Sequence, residues 1–340
     1  MSPDYLLALS FIPALSRIGL AERLRSDDPE LIQLASSVLD AARRARDAAA
    51  RQGIHVVTWE DARYPAALLS LPDFPPALWC RGHLGVLDAP SVAIVGSRAA
   101  SAVALETATR LGADLAARGV TVVSGLARGV DSAAHRGALS AGVTVAVLGS
   151  GVDVIYPREH ALLAGQIAES GLVLSEYPPG SPPSGFHFPQ RNRLISGCTR
   201  ATVVVEAAVG SGSLITAACA LDQGREVMAV PGNVLSGRNR GAHALIRDGA
   251  TIVEDADDIL EELGLAGPTG GPDAESTSSC RPKASVDPIL RSMEPGQAYD
   301  LDALAGASGI DGVRLLPRLL DLELRRLIHR AGGGRFMRST

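Results

Sequence analysis

At 340 residues, with 46% hydrophobic and 20% charged side chains of mixed sign, the chain has the composition of a folded globular protein with two or three domains, which excludes a disordered or fibrous one. Its formal charge of −5 argues against a protein that coats duplex DNA through bulk electrostatics. No window approaches about 18 apolar residues free of charge, and the N-terminus has no leader-like apolar run, so a cytoplasmic protein without a membrane partner is expected.

Residues 1–52 are rich in Ala, Leu and Arg at helical spacing, broken by Pro13, Gly19 and Pro29, and predict a small module of several short helices. A strand at Ile54–Thr58 opens the next domain, 53–263. It is followed by YPAALLSLPDFPPALWCRG, whose prolines favour extended chain over helix.

From Ser91 onward the pattern is strand, turn, helix, repeated. Strands are predicted at 91–95, 121–125, 144–148, 172–176, 202–206, 226–230 and 251–254, and helices at Ala102–Arg118, Ser132–Ala141, Arg158–Ser170, Leu214–Gln223 and Ala256–Leu263. Most strands are continuous apolar runs without alternation, the pattern of strands covered on both faces. The fold class is therefore α/β, an extended Rossmann-like and mostly parallel sheet between helices. Residues 264–285, thirteen of twenty-two of them Gly, Pro, Ser or Thr, read as a flexible linker. Beyond it, 286–340 predicts helices at Val286–Met293, Asp300–Ala307 and Asp311–Leu322, then a short hairpin, which together suggest a winged helix.

Charge is unevenly spread. Six carboxylates crowd Glu254 to Glu262, seven arginines fall in 312–340, and Lys283 is the sole lysine, so arginine carries nearly all positive charge. Its planar fork suits bidentate phosphate contacts. Cys80, Cys198, Cys219 and Cys280 are scattered, which predicts reduced packing residues and neither disulfide nor zinc site.

In an open parallel sheet ligands bind beyond the carboxyl ends of the strands, and four loops fall there. Gly96-Ser97-Arg98 offers a tight turn, a hydroxyl and a cation. In SGLARGVDSAAH (124–135), Gly125 and Gly129 make a permissive loop carrying Arg128, and Asp131 is placed to cap the next helix. Asp131 and His135 lie four apart on one helical face; an acid/base pair or metal site is conceivable, yet two ligands do not make a site, and a cap with a hydrogen-bonded His explains both. The stretch 177–197 reads as a long functional loop that sets Phe186 and Phe188 beside Arg191, Asn192 and Arg193. Rings that stack on bases and guanidiniums that hold the backbone are what a single-stranded binder needs, although a Phe can equally anchor the loop to the core. Gly210-Ser211-Gly212-Ser213, opening an apolar helix, is a nest of amides and hydroxyls for an anion. The lack of a G-x-x-x-x-G-K-[ST] motif leaves ATP hydrolysis without support.

In this order, YPAALLSLPDFPPALWCRG, IVGSRAAS, VVSGLARGVDSAAHRGAL, TVAVLGSGVDVIYP, LVLSEYPPG, FPQRNRLISG, VVVEA, SGSLITA and VMAVPG resemble the DprA/Smf family of bacterial DNA-processing proteins over roughly 64–260. The helical module, of a SAM or helix-hairpin-helix kind, and the winged-helix-like tail are also similar to family members. The resemblance implies a non-enzymatic, cofactor-free, homodimeric binder of single-stranded DNA that helps load the RecA recombinase in natural transformation and recombination. Carried over by position, the DNA-contacting set is Ser97, Arg98, Gly125, Arg128, Gly129, Phe188, Arg191, Asn192 and Arg193, with Gly210, Ser211, Gly212 and Ser213 as an addition. The chain departs from the family at Ala102 and Val103, where an aromatic and a Gly are common, and at Asn239 and His243. A competing reading is a nucleotide-processing enzyme of phosphoribohydrolase type, with Glu206 as catalytic carboxylate.

Overall fold

The computed structural model describes residues 2–12, 19–265, 288–293, 297–308, 315, 318–319, 322–323, 327–331 and 335–338. Two compact units divide the chain, Met1–Pro268 and Thr269–Thr340.

The first unit begins with helices α1 (Pro3–Leu9), α2 (Leu20–Arg25) and α3 (Pro29–Ala50). Asp28 caps α3 by accepting from the Glu30 amide, and Pro29 occupies the first turn, where its missing amide costs nothing. The region expected to hold several short helices thus contains one of 22 residues. These helices share a core with the adjoining sheet edge: Leu6, Leu7, Leu24 and Leu31 are buried in one cluster with Phe74 and Trp79.

Next come β1 (His55–Thr58), β2 (Ala77–Gly82), β3 (Ser91–Val95), α4 (Ala102–Ala117), β4 (Thr121–Ser124), α5 (Val130–Leu139), β5 (Thr144–Val147), α6 (Ala161–Ser170) and β6 (Leu172–Ser175). They are followed by α7 (His187–Gly197), β7 (Ala201–Val204), α8 (Gly212–Asp222), β8 (Glu226–Ala229), α9 (Arg240–Arg247), β9 (Thr251–Ile252) and α10 (Ala256–Glu262). All nine strands join one sheet in the order β1-β2-β6-β5-β4-β3-β7-β8-β9. The ladders from β6 to β9 are parallel, while β1 and β2 add an antiparallel edge. Both faces are covered, as the apolar runs require. In β3, Val92 and Ile94 join one core with α4, α5 and α10, whereas Ala93 and Val95 join the opposite core with residues of α6, α7 and α8.

The chain steps outward from β3 through β4 and β5 to β6, then returns to lay β7 on the other side of β3. That reversal separates the loops after β3 and β7 and opens a crevice between them, the place where open parallel sheets hold ligands.

Cys80 and Cys198 are buried and Cys219 is half-buried; burial raises the Cys80 thiol above its usual range and pushes Cys198 up to about 12, so neither is a nucleophile at neutral pH. Cys280 lies outside the described residues.

In the second unit, α11 (Pro288–Arg291), β10 (Ala298–Tyr299), α12 (Leu301–Ser308), β11 (Ile328–Ala331) and β12 (Arg335–Arg338) are described. The strands form an antiparallel sheet ordered β10-β12-β11. Ile289, Leu304, Leu319, Ile328 and Phe336 are buried in one core. Most of the helix expected at Asp311–Leu322, and the linker from residue 266, lie outside the described residues.

Candidate nucleic-acid interface

At the reversal between β3 and β7 lies a cleft of about 650 Å³. One wall is the loop after β3, with Gly96, Ser97 and Arg98; the facing wall is Gly210 to Ser213, and α7 supplies Phe188, Arg191 and Asn192. The Ser97 amide donates to the Glu206 carbonyl at 2.7 Å, which locks the two strand-end loops together. Ser211 caps α8, its hydroxyl accepting from the Ser213 amide at 3.4 Å and lying 2.8 Å from the Ser213 hydroxyl. Hydroxyls, amides and the positive end of a helix dipole thus meet at one mouth.

The segment expected as one long loop is a loop only in its first part; from His187 to Gly197 it is helix. Pro189 hides this in the sequence, but it sits in the first turn, where proline is tolerated, and Leu194 and Ile195 face the core. The helix has a consequence for the arginines. Residues two apart on a helix point about 200° from each other, so Arg191 and Arg193 cannot serve one site. Arg191 faces the cleft, whereas Arg193 turns to the opposite side, where Asp73 at 3.0 Å and Glu176 at 2.7 Å pair with it. Asn192 ties α7 to the glycine-serine wall through a 3.2 Å bond to the Gly212 carbonyl.

Arg191 is 4% exposed and donates to the Gly125 carbonyl at 2.8 Å and to the Val147 carbonyl, thereby bridging the ends of β4 and β5. Its Nε finds no hydrogen-bond partner among the described residues. Desolvation pulls its pKa down to about 10, against the favourable charge of Asp131, and Arg98 pushes it down further; it remains a cation at neutral pH. Two guanidiniums facing one cleft repel each other, and an anion between them relieves that repulsion.

Asp131 does not cap its own helix as expected. Instead its carboxylate accepts from the Gly125 and Ala127 amides at 3.1 and 3.3 Å and so shapes the preceding loop. Burial raises its pKa, although Arg191 and these amides act in the opposite sense. His135 is also buried. Its Nδ1 lies 2.8 Å from the Thr144 hydroxyl, which itself donates to the Val122 carbonyl, so the imidazole is a structural group, and desolvation holds its pKa down at about 3. Among the described residues no three His, Cys, Asp or Glu side chains could hold a metal ion.

The glycines of this loop act by making room. A Cβ at Gly125 would sit 2.7 Å from the Arg191 guanidinium, and one at Gly129, whose φ is +76°, would sit 2.2 Å from the Ser97 carbonyl. Arg128 does not line the cleft: it is exposed and paired with Glu159 at 2.5 Å. Phe188 does, with the Arg98 guanidinium 5.5 Å from its centroid and the Tyr156 ring tilted against it at 5.5 Å. Phe186 is 83% exposed and lies on the other side of α7, away from this cleft. Tyr156 and the loop-organising role of Asp131 were not anticipated; the aromatic-Pro pair in VIYP was the available signal for the former. Glu206 is buried and accepts from both the amide and the hydroxyl of Ser101, so it anchors α4 and does not line the cleft.

Comparison with known proteins places residues 55–264 in a match to the family described as DNA recombination-mediator protein A. Protein Smf of Escherichia coli strain K12 is 41% identical over 286 residues, which span 82% of this chain and 76% of that protein. DNA processing protein DprA of Streptococcus pneumoniae is 45% identical over 204 residues, 60% of this chain and 72% of the relative. The X-ray structure of the Streptococcus pneumoniae protein superposes with a TM-score of 0.67 at 35% identity, over 77% of this chain and 98% of that one. A structure concerned with the single-stranded DNA binding mode of DNA processing protein A from Helicobacter pylori gives a TM-score of 0.56 at 30% identity, over 61% and 95%.

Proposed function

Because this chain belongs to the DNA recombination-mediator protein A family, we propose that it binds single-stranded DNA, without catalytic turnover, in the cleft between the loops after β3 and β7. The observation that carries the reading is the approach of Arg98 and the buried Arg191 to the Gly210–Ser213 nest at one mouth. Phosphates sit between the guanidiniums and the nest amides, and Phe188 with Tyr156 offers ring surface to the bases. None of these groups reads a base edge, so binding tolerates any sequence. Gly125, Gly129 and Asn192 hold the loops in place; Arg128 and Arg193, paired with carboxylates, contribute little to the grip.

In this reading the protein is a cytoplasmic homodimer that presents the strand to RecA, domain 53–263 carries the DNA, and 286–340 is a dimer or partner surface. A fluorescence titration with single-stranded and duplex oligomers at two salt concentrations tests it. The expected result is preference for the single strand and a steep salt dependence. Equal affinity for both forms, or none for either, is incompatible with the cleft as a single-strand site.

A further inference from the structure

We infer that the single strand leaves the cleft over the loop 231–239, where Arg238 and Arg240 take the phosphates that follow those held by Arg98 and Arg191; this rests on the reading of the cleft given above. The first ground is position. β8 lies beside β7, so its following loop emerges one strand spacing, about 4.8 Å, from the glycine-serine wall. Two bonds fasten it to the cleft walls. Arg238 donates to the carbonyl of Ala99, next to Arg98, at 2.8 Å, and the Gly241 amide donates to the Ala207 carbonyl at 2.8 Å.

The loop is also organised from within. Asn239 is buried so closely on Gly232 that a Cβ there would lie 1.5 Å from its amide nitrogen, and the His243 Nε2 is 3.1 Å from the Gly232 carbonyl. The second ground is charge. Between Glu226 and Asp248 the sequence has no carboxylate, and it has Arg238 in the loop and Arg240 at the start of α9. Glu206 is 4.0 Å from Arg238, but it is buried and both its oxygens are taken by Ser101, whereas the Arg238 side chain is 54% exposed. Toward β5 the signs are mixed, since Arg128 and Arg158 share that rim with Asp153 and Glu159. A polyanion leaving the cleft over the loop 231–239 meets arginines and no carboxylate of that loop, and the acidic run from Glu254 begins only beyond the next strand, β9. The loop tip adds exposed apolar surface in Val234 and Leu235, against which an unpaired base can lie.

The test compares oligothymidylates of about six and about twenty nucleotides on the full chain, at several salt concentrations. The R238A/R240A variant should leave the short oligomer within about twofold of wild type, weaken the long one about tenfold and lower its salt slope by roughly 1.4, at about 0.7 per single-strand phosphate contact. R238K/R240K should restore most of that slope, and R240A, which leaves the Ala99 contact intact, should show part of the loss. Unchanged affinity and slope for the long oligomer in R238A/R240A overturn the path and leave the cleft standing. An equal loss at both lengths also overturns the path, because the arginines then act through the cleft itself. If wild type binds neither length, the cleft reading falls and the path falls with it.

Discussion

Arg98 and Arg191 reach the same cleft by different physical routes, and their substitutions should separate. Arg98 is exposed, so R98A should leave stability within about 0.5 kcal/mol while lowering the salt slope of single-strand binding by roughly 0.7. Arg191 also ties the ends of β4 and β5 and offsets the buried Asp131 charge. R191A should therefore weaken binding and cost about 3 kcal/mol of folding stability, read by urea unfolding. F188A removes a stacking surface and no charge; it should weaken binding by about 1–3 kcal/mol with an unchanged salt slope, measured in the same titrations. A slope that fell in F188A would show that the ring acts by holding Arg98. What the sequence could reveal at this scale was residue type at a strand end. It could not reveal that Glu159 answers Arg128 or that Asp73 and Glu176 answer Arg193, because those partners come from distant segments joined only by packing.

Elements were more legible than their edges. The parallel strands were readable because each is a short apolar run between turn residues, and burial on both faces leaves no alternation to misjudge. α7 was missed because Pro189 and the polar PQRNR run conceal its period, and α9 because Pro231, Gly232 and Gly237 precede it and only Leu245 and Ile246 of its eight residues are strongly apolar. α5 carries a titration of its own. His135 stays neutral in the fold down to about pH 3, whereas an exposed His takes up a proton near pH 6.5. The unfolded chain then binds more protons, so stability contributed by neutral His135 is complete above pH 6.5 and declines as the pH falls towards 3, by up to about 1.4 kcal/mol per pH unit. Urea midpoints between pH 7 and 5 should fall accordingly, and H135N should flatten the decline; an equally steep decline in H135N would assign it to other groups.

For the whole molecule, the unit Met1–Pro268 owns both large cores and the entire cleft. A chain ended at residue 265 should fold cooperatively by circular dichroism and bind single-stranded DNA within a few-fold of full length; loss of binding in a well-folded truncation would move part of the site into the second unit. The two compact units meet at residue 268, inside the Gly- and Pro-rich stretch 264–285, whereas the exact packing of the N-terminal helices on β1 and β2 was not readable, since a helical period does not say what it packs against. The sheet order has one more implication. The two walls of the cleft are separated by more than a hundred residues of chain, from Arg98 to Gly210, and meet only after the polypeptide has laid four strands in one direction and doubled back. During synthesis the capacity to capture nucleic acid should accordingly arrive late and all at once, so that a ribosome paused before Ser213 displays a growing α/β layer that ignores the very polymer its finished form holds.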